Sequence, residues 1–377
     1  MKIQETSRRL FLKTILTLAA VFLSGIAMAV PPEGVLDQTH ANVRAVMAVQ
    51  GEVTPGLMST DGILGTAVGL DDKGQPALVV YVDKEHPSMS AVVQSLPPQM
   101  RGVGVKIELT EKFRAFRGKP GGGGGGTTVS HTAKQATPIQ LGTSGGWRTD
   151  LANGYCCGGT LGSLIQANGI QYILSNYHVF ESDIVSGGNG LVATDGSNVI
   201  QPGLIDVGCA ANNAQNIGLL KTVKSLPDNN VDCAVAQVIP GMVSTNGAIL
   251  EIGVLSSQTV AAFLNQAVKK SGRTTGLTRS KVSGLNATVS VSYENECAGG
   301  TAFTKTFTGQ IVIANSSSSF LNSGDSGSLM VEDITTKPRA VGLLYAGSST
   351  SAIANPINAV LTFLSTKLGG TATMVGN

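Results

Sequence analysis

The chain is poor in charge, in aromatic residues and in histidine. Only 13% of its 377 residues are charged, 5% are aromatic, and four are histidine. An ordinary soluble domain carries about 25% charged residues. A coiled coil needs far more Glu and Lys, and a disordered chain needs more charge and fewer aliphatic residues. A net charge of +2 gives no field for wrapping a nucleic acid. What is abundant is glycine, at 48 residues, and the composition favours a β-rich globular protein.

The first 29 residues have the pattern of an export signal. They hold four basic residues against one acidic residue, and Ser7–Lys13 resembles a twin-arginine motif. The uncharged apolar run from about 15 to 29 is shorter than the ~20 residues that span a bilayer. It ends in Ala27-Met28-Ala29, a small-x-small cleavage site before Val30. We therefore expect a signal peptide over 1–29 and a periplasmic or secreted protein, with no stable membrane association after cleavage. An uncleaved anchor is the alternative.

Residues 30–118 are predicted to form a small α+β domain. Apolar periodicity predicts helices near 38–53 and 88–96, and strands over 62–70, 77–82 and 103–109. The two histidines here, His40 and His86, have no serine and acid partners in the sequence pattern. This segment is interpreted either as an accessory domain or as an intramolecular pro-domain that assists folding or covers an active site.

Residues 119–137 read as a glycine-rich linker because Gly121–Gly126 is an unbroken run. The run matches the GxGxxG spacing, but no strand precedes it and no helix follows it, so dinucleotide binding is not predicted. The chain also lacks the CxxC and HxxxH spacings of zinc sites. We expect neither a cofactor nor a metal ion.

Residues 138–377 are predicted to be all-β. Short aliphatic runs alternate with clusters of Gly, Asn, Ser and Pro, and one amphipathic helix is predicted over 355–368. About 230 residues of this kind suit a sandwich or two barrels. All five cysteines lie here, and their odd number leaves at least one without an intramolecular partner. Their pairing stays open at this point.

Two histidines occur after the glycine run begins at 121, His131 in the linker region and His178 at the end of a predicted strand. Imidazole acid–base chemistry would therefore use His178. The serine candidate is Ser326, in Gly324-Asp325-Ser326-Gly327, because flanking glycines allow a sharp turn that presents N–H donors and a hydroxyl. The competing Gly142–Gly146 matches GxSxG, but it lacks the strand–turn–helix context of a nucleophile elbow.

The acid candidate is Asp232. Most other aspartates between His178 and Ser326 lie in polar stretches, whereas Asp232 begins the apolar run Val231–Val238. A buried carboxylate needs a donor, and an imidazole N–H is one. Strand alternation directs Cys233 to the opposite face, which predicts a core residue rather than a nucleophile.

In the order His178, Asp232, Ser326, the chain resembles the trypsin-like serine peptidases, and in particular their bacterial streptogrisin-like branch. The resemblance covers about 145–365. The segments that carry it are Gly158–Ile165, Leu174–Val179, Val231–Ala236, Ser271–Leu277, Val282–Val289, Gly324–Gly327 and Ala340–Gly347.

The resemblance implies two six-stranded β-barrels with a C-terminal helix, after the small α+β domain. It implies Ser326 as nucleophile, His178 as base and then acid, Asp232 as the group that orients His178, and the N–H groups of Gly324 and Ser326 as oxyanion hole. The substrate pocket would involve Phe320, Ser323, Tyr345 and Gly347.

The expected function is that of an exported serine endopeptidase with polypeptide substrates. Neither stretch that forms the pocket contains an acidic residue, so a preference for Arg or Lys at the cleaved bond is not predicted. Two alternatives remain open: a non-catalytic binding protein on a protease fold, and an esterase that uses the same triad.

Overall fold

The computed structural model describes residues 34–115, 129–152, 155–181, 193–293 and 303–377. The predicted signal peptide, the hexaglycine run and Cys297 lie outside these ranges. Within them, residues from Val35 to Asn377 belong to one compact unit.

The described chain contains four α-helices: α1 (Ala41–Met58), α2 (Met89–Ser95), α3 (Tyr177–Phe180) and α4 (Ile357–Leu368). Strands dominate the rest. Those of the N-terminal segment are β1 (Ile63–Leu70), β2 (Pro76–Asp83), β3 (Gln99–Met100), β4 (Val103–Thr110) and β5 (Phe113–Ala115). The next group is β6 (Thr143–Trp147), β7 (Leu151–Ala152), β8 (Tyr155–Cys156), β9 (Gly159–Leu161), β10 (Ser163–Ala167), β11 (Ile170–Ser175), β12 (Asn198–Gln201), β13 (Gln215–Lys221) and β14 (Ala234–Val238). The last group is β15 (Ala267–Gly272), β16 (Gly276–Tyr293), β17 (Phe303–Ala314), β18 (Leu329–Glu332), β19 (Ala340–Gly347), β20 (Ser351–Pro356) and β21 (Thr373–Met374).

The first sheet forms a ring of six strand positions. Its order is β21-β10-β11-β14-β13-β12-β6-β9. Only Gly162 separates β9, at one end of this order, from β10, near the other end. The strands β9 and β10 therefore share one position of the ring, and β21 is an additional strand that pairs with β10. Its aliphatic side chains, such as Leu164, Ile173 and Val235, are fully buried in the enclosed core.

The second sheet contains another ring, in the order β15-β18-β19-β20-β17-β16, which the β15–β16 pairing closes. Helix α4 follows β20 directly and buries Ile357, Val360 and Leu364. Two six-stranded rings and a C-terminal helix are what the sequence predicts, so the predicted fold class is confirmed.

The N-terminal segment contributes strands to the second sheet. Its predicted helices and strands are present, and Asp71 Oδ1 fixes the turn between β1 and β2 by accepting from the N–H groups of Lys73 and Gln75, both at 2.8 Å. Strand β1 pairs antiparallel with β16, Gly65 opposite Val289, and β2 and β4 extend the sheet further. This continuity arises from pairing between residues more than 200 positions apart, which sequence patterns do not reveal.

Residues 129–137 pack against the C-terminal part of the chain although they belong to the predicted linker. His131 is buried, its Nδ1 lies 2.8 Å from the carbonyl oxygen of Gly142, and its Nε2 lies 2.6 Å from Glu251 Oε2. These contacts give His131 a structural place away from His178.

A disulfide joins Cys156 to Cys209, and Cys157 is also disulfide-bonded. Cys233 is a free, buried cysteine. Among the described residues, no helix has both the length and the apolar character needed to cross a bilayer.

Candidate active site

His178 lies where β11 gives way to the single turn of α3. Strand β11 ends at Ser175, and Asn176 is extended before the helix begins at Tyr177. The Asn176 side chain donates to the carbonyl oxygen of Asp232 at 2.7 Å, which ties this turn to the start of β14. His178 is only 1% exposed, so its ring orientation is fixed by the protein.

The structure brings Asp232, the acid candidate of the sequence, into contact with the ring of His178. His178 Nδ1 lies 2.6 Å from Asp232 Oδ2, and the backbone N–H of Tyr177 donates to Oδ1 at 2.8 Å. The backbone N–H of Asp232 donates to Asn355 Oδ1 at 2.9 Å, which links it to β20 of the second sheet. Because this buried carboxylate accepts from the ring N–H at Nδ1, Nε2 is left as the basic nitrogen.

Cys233 behaves as a core residue. It is fully buried, and burial raises the pKa of its thiol well above the ordinary value. A thiol held in its neutral form is a poor nucleophile, so the geometry favours Ser326 over Cys233.

Ser326 occupies a turn that depends on glycine at two positions. Gly324 has φ +94° and Gly327 has φ +92°, a region that favours glycine. A Cβ on Gly327 would also lie 2.3 Å from Ser175 Oγ and 2.3 Å from the carbonyl oxygen of Thr160. The turn is therefore pressed against the first sheet, and the N–H of Thr160 donates to the Ser326 carbonyl at 2.8 Å.

Asp325 holds the same turn in place through hydrogen bonds to its carboxylate. Its carboxylate accepts from the N–H groups of Thr274 (2.9 Å), Thr275 (3.1 Å) and Asn322 (3.0 Å). The ammonium group of Lys270 lies 3.4 Å from Asp325 Oδ2, with both side chains fully buried. Burial lowers the pKa of Lys270, and the Asp325 charge opposes that change.

The backbone N–H groups of Gly324 and Ser326 are the oxyanion-hole donors that the sequence predicts. In the part of the chain that the structure describes, neither the N–H of Gly324 nor that of Ser326 has a hydrogen-bond acceptor. Both groups lie on the one tight turn that also carries the Ser326 hydroxyl.

Ser326 and Val179, the residue after His178, both lie against Gly159, and among the described residues no hydrogen bond joins Ser326 to His178. A Cβ on Gly159 would lie 2.7 Å from a methyl group of Val179, the residue after His178, and 2.9 Å from the Ser326 carbonyl oxygen. The Ser326 hydroxyl donates to the carbonyl oxygen of Tyr345 at 3.3 Å, and His178 Nε2 has no partner among the described residues.

The predicted pocket residues point in different directions. Phe320 packs in one apolar cluster, whereas Tyr345 packs in another, with its ring 5.0 Å from that of Phe307. Gly347 is buried and Ser323 is half-buried. The structure thus places the four residues near the Ser326 turn but does not join Phe320 and Tyr345 in one cavity wall.

Strand β5 lies beside this site. It pairs parallel with β16, and antiparallel with β19, where Ala115 faces Ala346 and Arg114 faces Gly347. In this antiparallel register β5 runs toward Tyr345, the residue whose carbonyl accepts from Ser326. Phe113 is fully buried in the cluster that contains Tyr177, Tyr293 and Tyr345.

Sequence reasoning missed three residues that support the site: Tyr293, Lys270 and Asn355. Tyr293 continues the buried alternation of Val289 and Val291 along β16, which marks its face but not its partner. Strand β15 carries two adjacent lysines, Lys269 and Lys270, so the sequence does not single out Lys270. Among the described residues, no group of three or more His, Cys, Asp and Glu side chains is arranged to hold a metal ion.

Residues 227–355 match the family model described as the Nal1 C-terminal domain. No curated protein matches the chain. Several solved structures are similar. Thermobifida fusca protease A is 16% identical with a TM-score of 0.40, and the match covers 63% of this chain and 99% of that one. Cellulomonas bogoriensis chymotrypsin is 18% identical with a TM-score of 0.37 and the same coverage. A glutamic-acid-specific serine protease is 18% identical with a TM-score of 0.38, and the match covers 63% of this chain and all of that one. At these distances the neighbours establish no activity for this chain.

Proposed function

We propose that this chain is an exported serine endopeptidase that acts through Ser326, His178 and Asp232. The observation that carries the proposal is the buried 2.6 Å contact between His178 Nδ1 and Asp232 Oδ2 beside the Ser326 turn. A histidine oriented by a carboxylate, next to a serine on a turn with free N–H donors, is suited to acyl transfer.

The proposed reaction follows from this geometry. Ser326 Oγ attacks the carbonyl carbon of the substrate while His178 Nε2 takes the hydroxyl proton. The oxyanion accepts from the N–H groups of Gly324 and Ser326, and Asp232 stabilises the imidazolium. His178 then gives its proton to the leaving amine, which breaks the C–N bond and leaves an ester on Ser326. Water, deprotonated by His178, hydrolyses that ester.

Labelling with a fluorophosphonate tests the nucleophile. We expect the processed protein to be labelled, Ser326→Ala to lose labelling, and Ser257→Ala, a change at an exposed serine, to retain it. Labelling that persists in Ser326→Ala would contradict the assignment.

Side-by-side turnover of casein, a peptide library and simple esters separates the alternatives. An endopeptidase cleaves amide substrates, and His178→Ala abolishes this. Ester turnover without amide turnover would favour an esterase. Absence of both, with retained binding of peptides, would favour a binding protein.

We also propose that residues 34–115 act as an intramolecular pro-domain that blocks the site. An extended peptide gains main-chain hydrogen bonds by pairing with an exposed strand edge, and β5 occupies the edge of β19 nearest Ser326. Both Ser326 and His178 are buried, so a substrate cannot reach them unless the covering groups move.

Comparison of the full chain with a form cleaved between 118 and 137 and freed of its N-terminal fragment tests this role. The freed form should hydrolyse peptides faster and be labelled faster. Equal rates in the two forms would refute a blocking role. N-terminal sequencing and mass measurement of the exported protein would determine whether export and processing occur.

A further inference from the structure

The Asp232 carboxylate receives hydrogen bonds from helix α3 and from the second sheet. Oδ1 accepts from the backbone N–H groups of Tyr177 at 2.8 Å and His178 at 3.4 Å. Oδ2 lies 2.6 Å from His178 Nδ1 and accepts from the phenol of Tyr293 at 2.9 Å. The phenol is the donor that reaches this carboxylate from the second sheet, and it binds the same oxygen as the histidine.

The ring of Tyr293 is held in place by aromatic packing. It stacks on Phe303 with centroids 4.8 Å apart and an angle of 7°, and it lies 6.4 Å from Phe307. The His178 ring meets it edge-on, at 6.0 Å and 71°. Tyr293 is 3% exposed. A phenol fixed on three sides delivers its hydroxyl with little freedom, as a positioning group must.

A donor at Oδ2 has a specific electrostatic effect. It withdraws part of the carboxylate charge that stabilises the imidazolium form of His178, and it prevents the carboxylate from rotating away from Nδ1. Other titratable groups on the elements around this pair also act on it. They are Tyr177 and Glu181 at α3, Cys233 before β14, and Tyr345 on β19, whose buried hydroxyl has no partner among the described residues.

We infer that Tyr293 is a positioning residue of the proposed catalytic triad, acting through Asp232 to fix the orientation of His178 and the pH range in which His178 is a base. This inference rests on the proposed function for its kinetic consequences. Its structural core, a phenol hydrogen bond to the same carboxylate oxygen that His178 Nδ1 contacts, stands apart from activity.

The substitution Tyr293→Phe removes one hydroxyl and keeps the ring. Without the phenol, the carboxylate holds the imidazolium more strongly, so the acidic limb of the kcat/KM profile should move to higher pH by several tenths of a unit. The maximal kcat should fall about tenfold, as expected when one hydrogen bond to a charged group is lost, while KM stays constant. Tyr172→Phe is the matched control, because Tyr172 lies on β11 and its hydroxyl has no hydrogen bond among the described residues. This substitution should change neither the pH profile nor kcat.

Proton NMR of the whole protein gives a readout that needs no activity. We expect a far-downfield resonance from the proton on His178 Nδ1. In Tyr293→Phe this resonance should shift, and the ring protons of His178 should titrate at higher pH than in the wild type. Phe303→Leu, which loosens the stacked ring but keeps the phenol, should give smaller changes in the same direction, and it provides the test if Tyr293→Phe does not fold.

The outcomes separate the two proposals. A wild-type protein without labelling or turnover would overturn the proposed function, while the NMR titration would still decide the role of Tyr293. Active wild type with the same pH profile, kcat and His178 titration in Tyr293→Phe would overturn the inference and leave the proposed function standing.

Discussion

The ammonium group of Lys270 lies 3.4 Å from Oδ2 of Asp325, directly beneath the turn that carries Ser326. Both side chains are fully buried. Lys270 lies on β15, so this charge pair joins the turn to the second ring. It acts in addition to the backbone N–H groups that donate to the Asp325 carboxylate.

Replacing Lys270 with methionine should therefore disturb the turn. The change leaves the buried carboxylate of Asp325 without its cation, and breaking a buried pair in this way costs about 3–5 kcal/mol. We expect a comparable decrease in the free energy of unfolding, measured with urea, and slower fluorophosphonate labelling. Lys270→Arg, which keeps the charge, should recover much of both. Wild-type values for Lys270→Met would show that the pair does not hold the turn.

Phe113 provides a test of the block by β5. Truncating a buried phenylalanine costs about 3–5 kcal/mol, and here the lost packing attaches β5 to the cluster around Tyr293 and Tyr345. In the full-length chain, Phe113→Ser should open β5 more often and raise the labelling rate at least about tenfold, since 1.4 kcal/mol corresponds to a factor of ten.

Lys112→Ser is the control for Phe113→Ser, because Lys112 is the exposed neighbour. It should label at the wild-type rate. Circular dichroism must show that both variants are folded. A folded Phe113→Ser protein that is labelled no faster than the wild type would count against a blocking role for β5.

The site and the fold differ in how far the sequence predicts them. The pairing of His178 with Asp232 was predictable because a carboxylate in an apolar run needs a donor and the C-terminal part offers few imidazoles. Aliphatic alternation and turn residues predict an all-β part that suits a sandwich or two barrels, and the six strands of each ring are what the family resemblance implies. The insertion of β5 between β16 and β19 was not predictable, since pairing with two strands that lie more than 170 positions away leaves no local pattern. The same holds for the contact of Tyr293 with Asp232, which depends on a hairpin of the other sheet.

Glu181 should make stability depend on pH. Its carboxylate accepts from the backbone N–H groups of Val223 at 3.0 Å and Lys224 at 3.3 Å. Burial nevertheless raises its pKa to about 7. Between the ordinary value and about 7 the folded protein binds more protons than the unfolded chain, so the free energy of unfolding falls as pH rises through this window.

The substitution Glu181→Gln removes this titration. The wild type should lose about 1–3 kcal/mol of unfolding free energy between pH 5 and pH 8 relative to the variant, measured by urea unfolding at each pH. Glu52→Gln, at an exposed glutamate, should keep the wild-type slope. Parallel slopes for the wild type and Glu181→Gln would show that Glu181 is ionised throughout this range.

Arg273 and Asp206 join the two rings close to the active site. Arg273 Nε donates to Asp206 Oδ2 at 2.9 Å and Nη2 donates to Oδ1 at 2.5 Å, while Asp206 also accepts from Ser144 Oγ. The backbone N–H of Arg273 donates to Thr160 Oγ1, which donates to the carbonyl oxygen of Gly324 at 3.0 Å. The ion pair is thus connected to the Ser326 turn through a single threonine.

Asp206→Ala should lower the free energy of unfolding by about 3–5 kcal/mol, because it leaves a guanidinium that is 2% exposed without its carboxylate. Arg273→Met should be similarly harmful alone. The double variant Asp206→Leu/Arg273→Met should recover most of the loss, since replacing a buried pair with apolar residues is often close to neutral. A double-mutant cycle by urea unfolding measures this coupling, and labelling rates report the Ser326 turn. Additive losses in the cycle would mean that the two side chains act independently, and the connection between the rings would then depend on their backbone contacts instead.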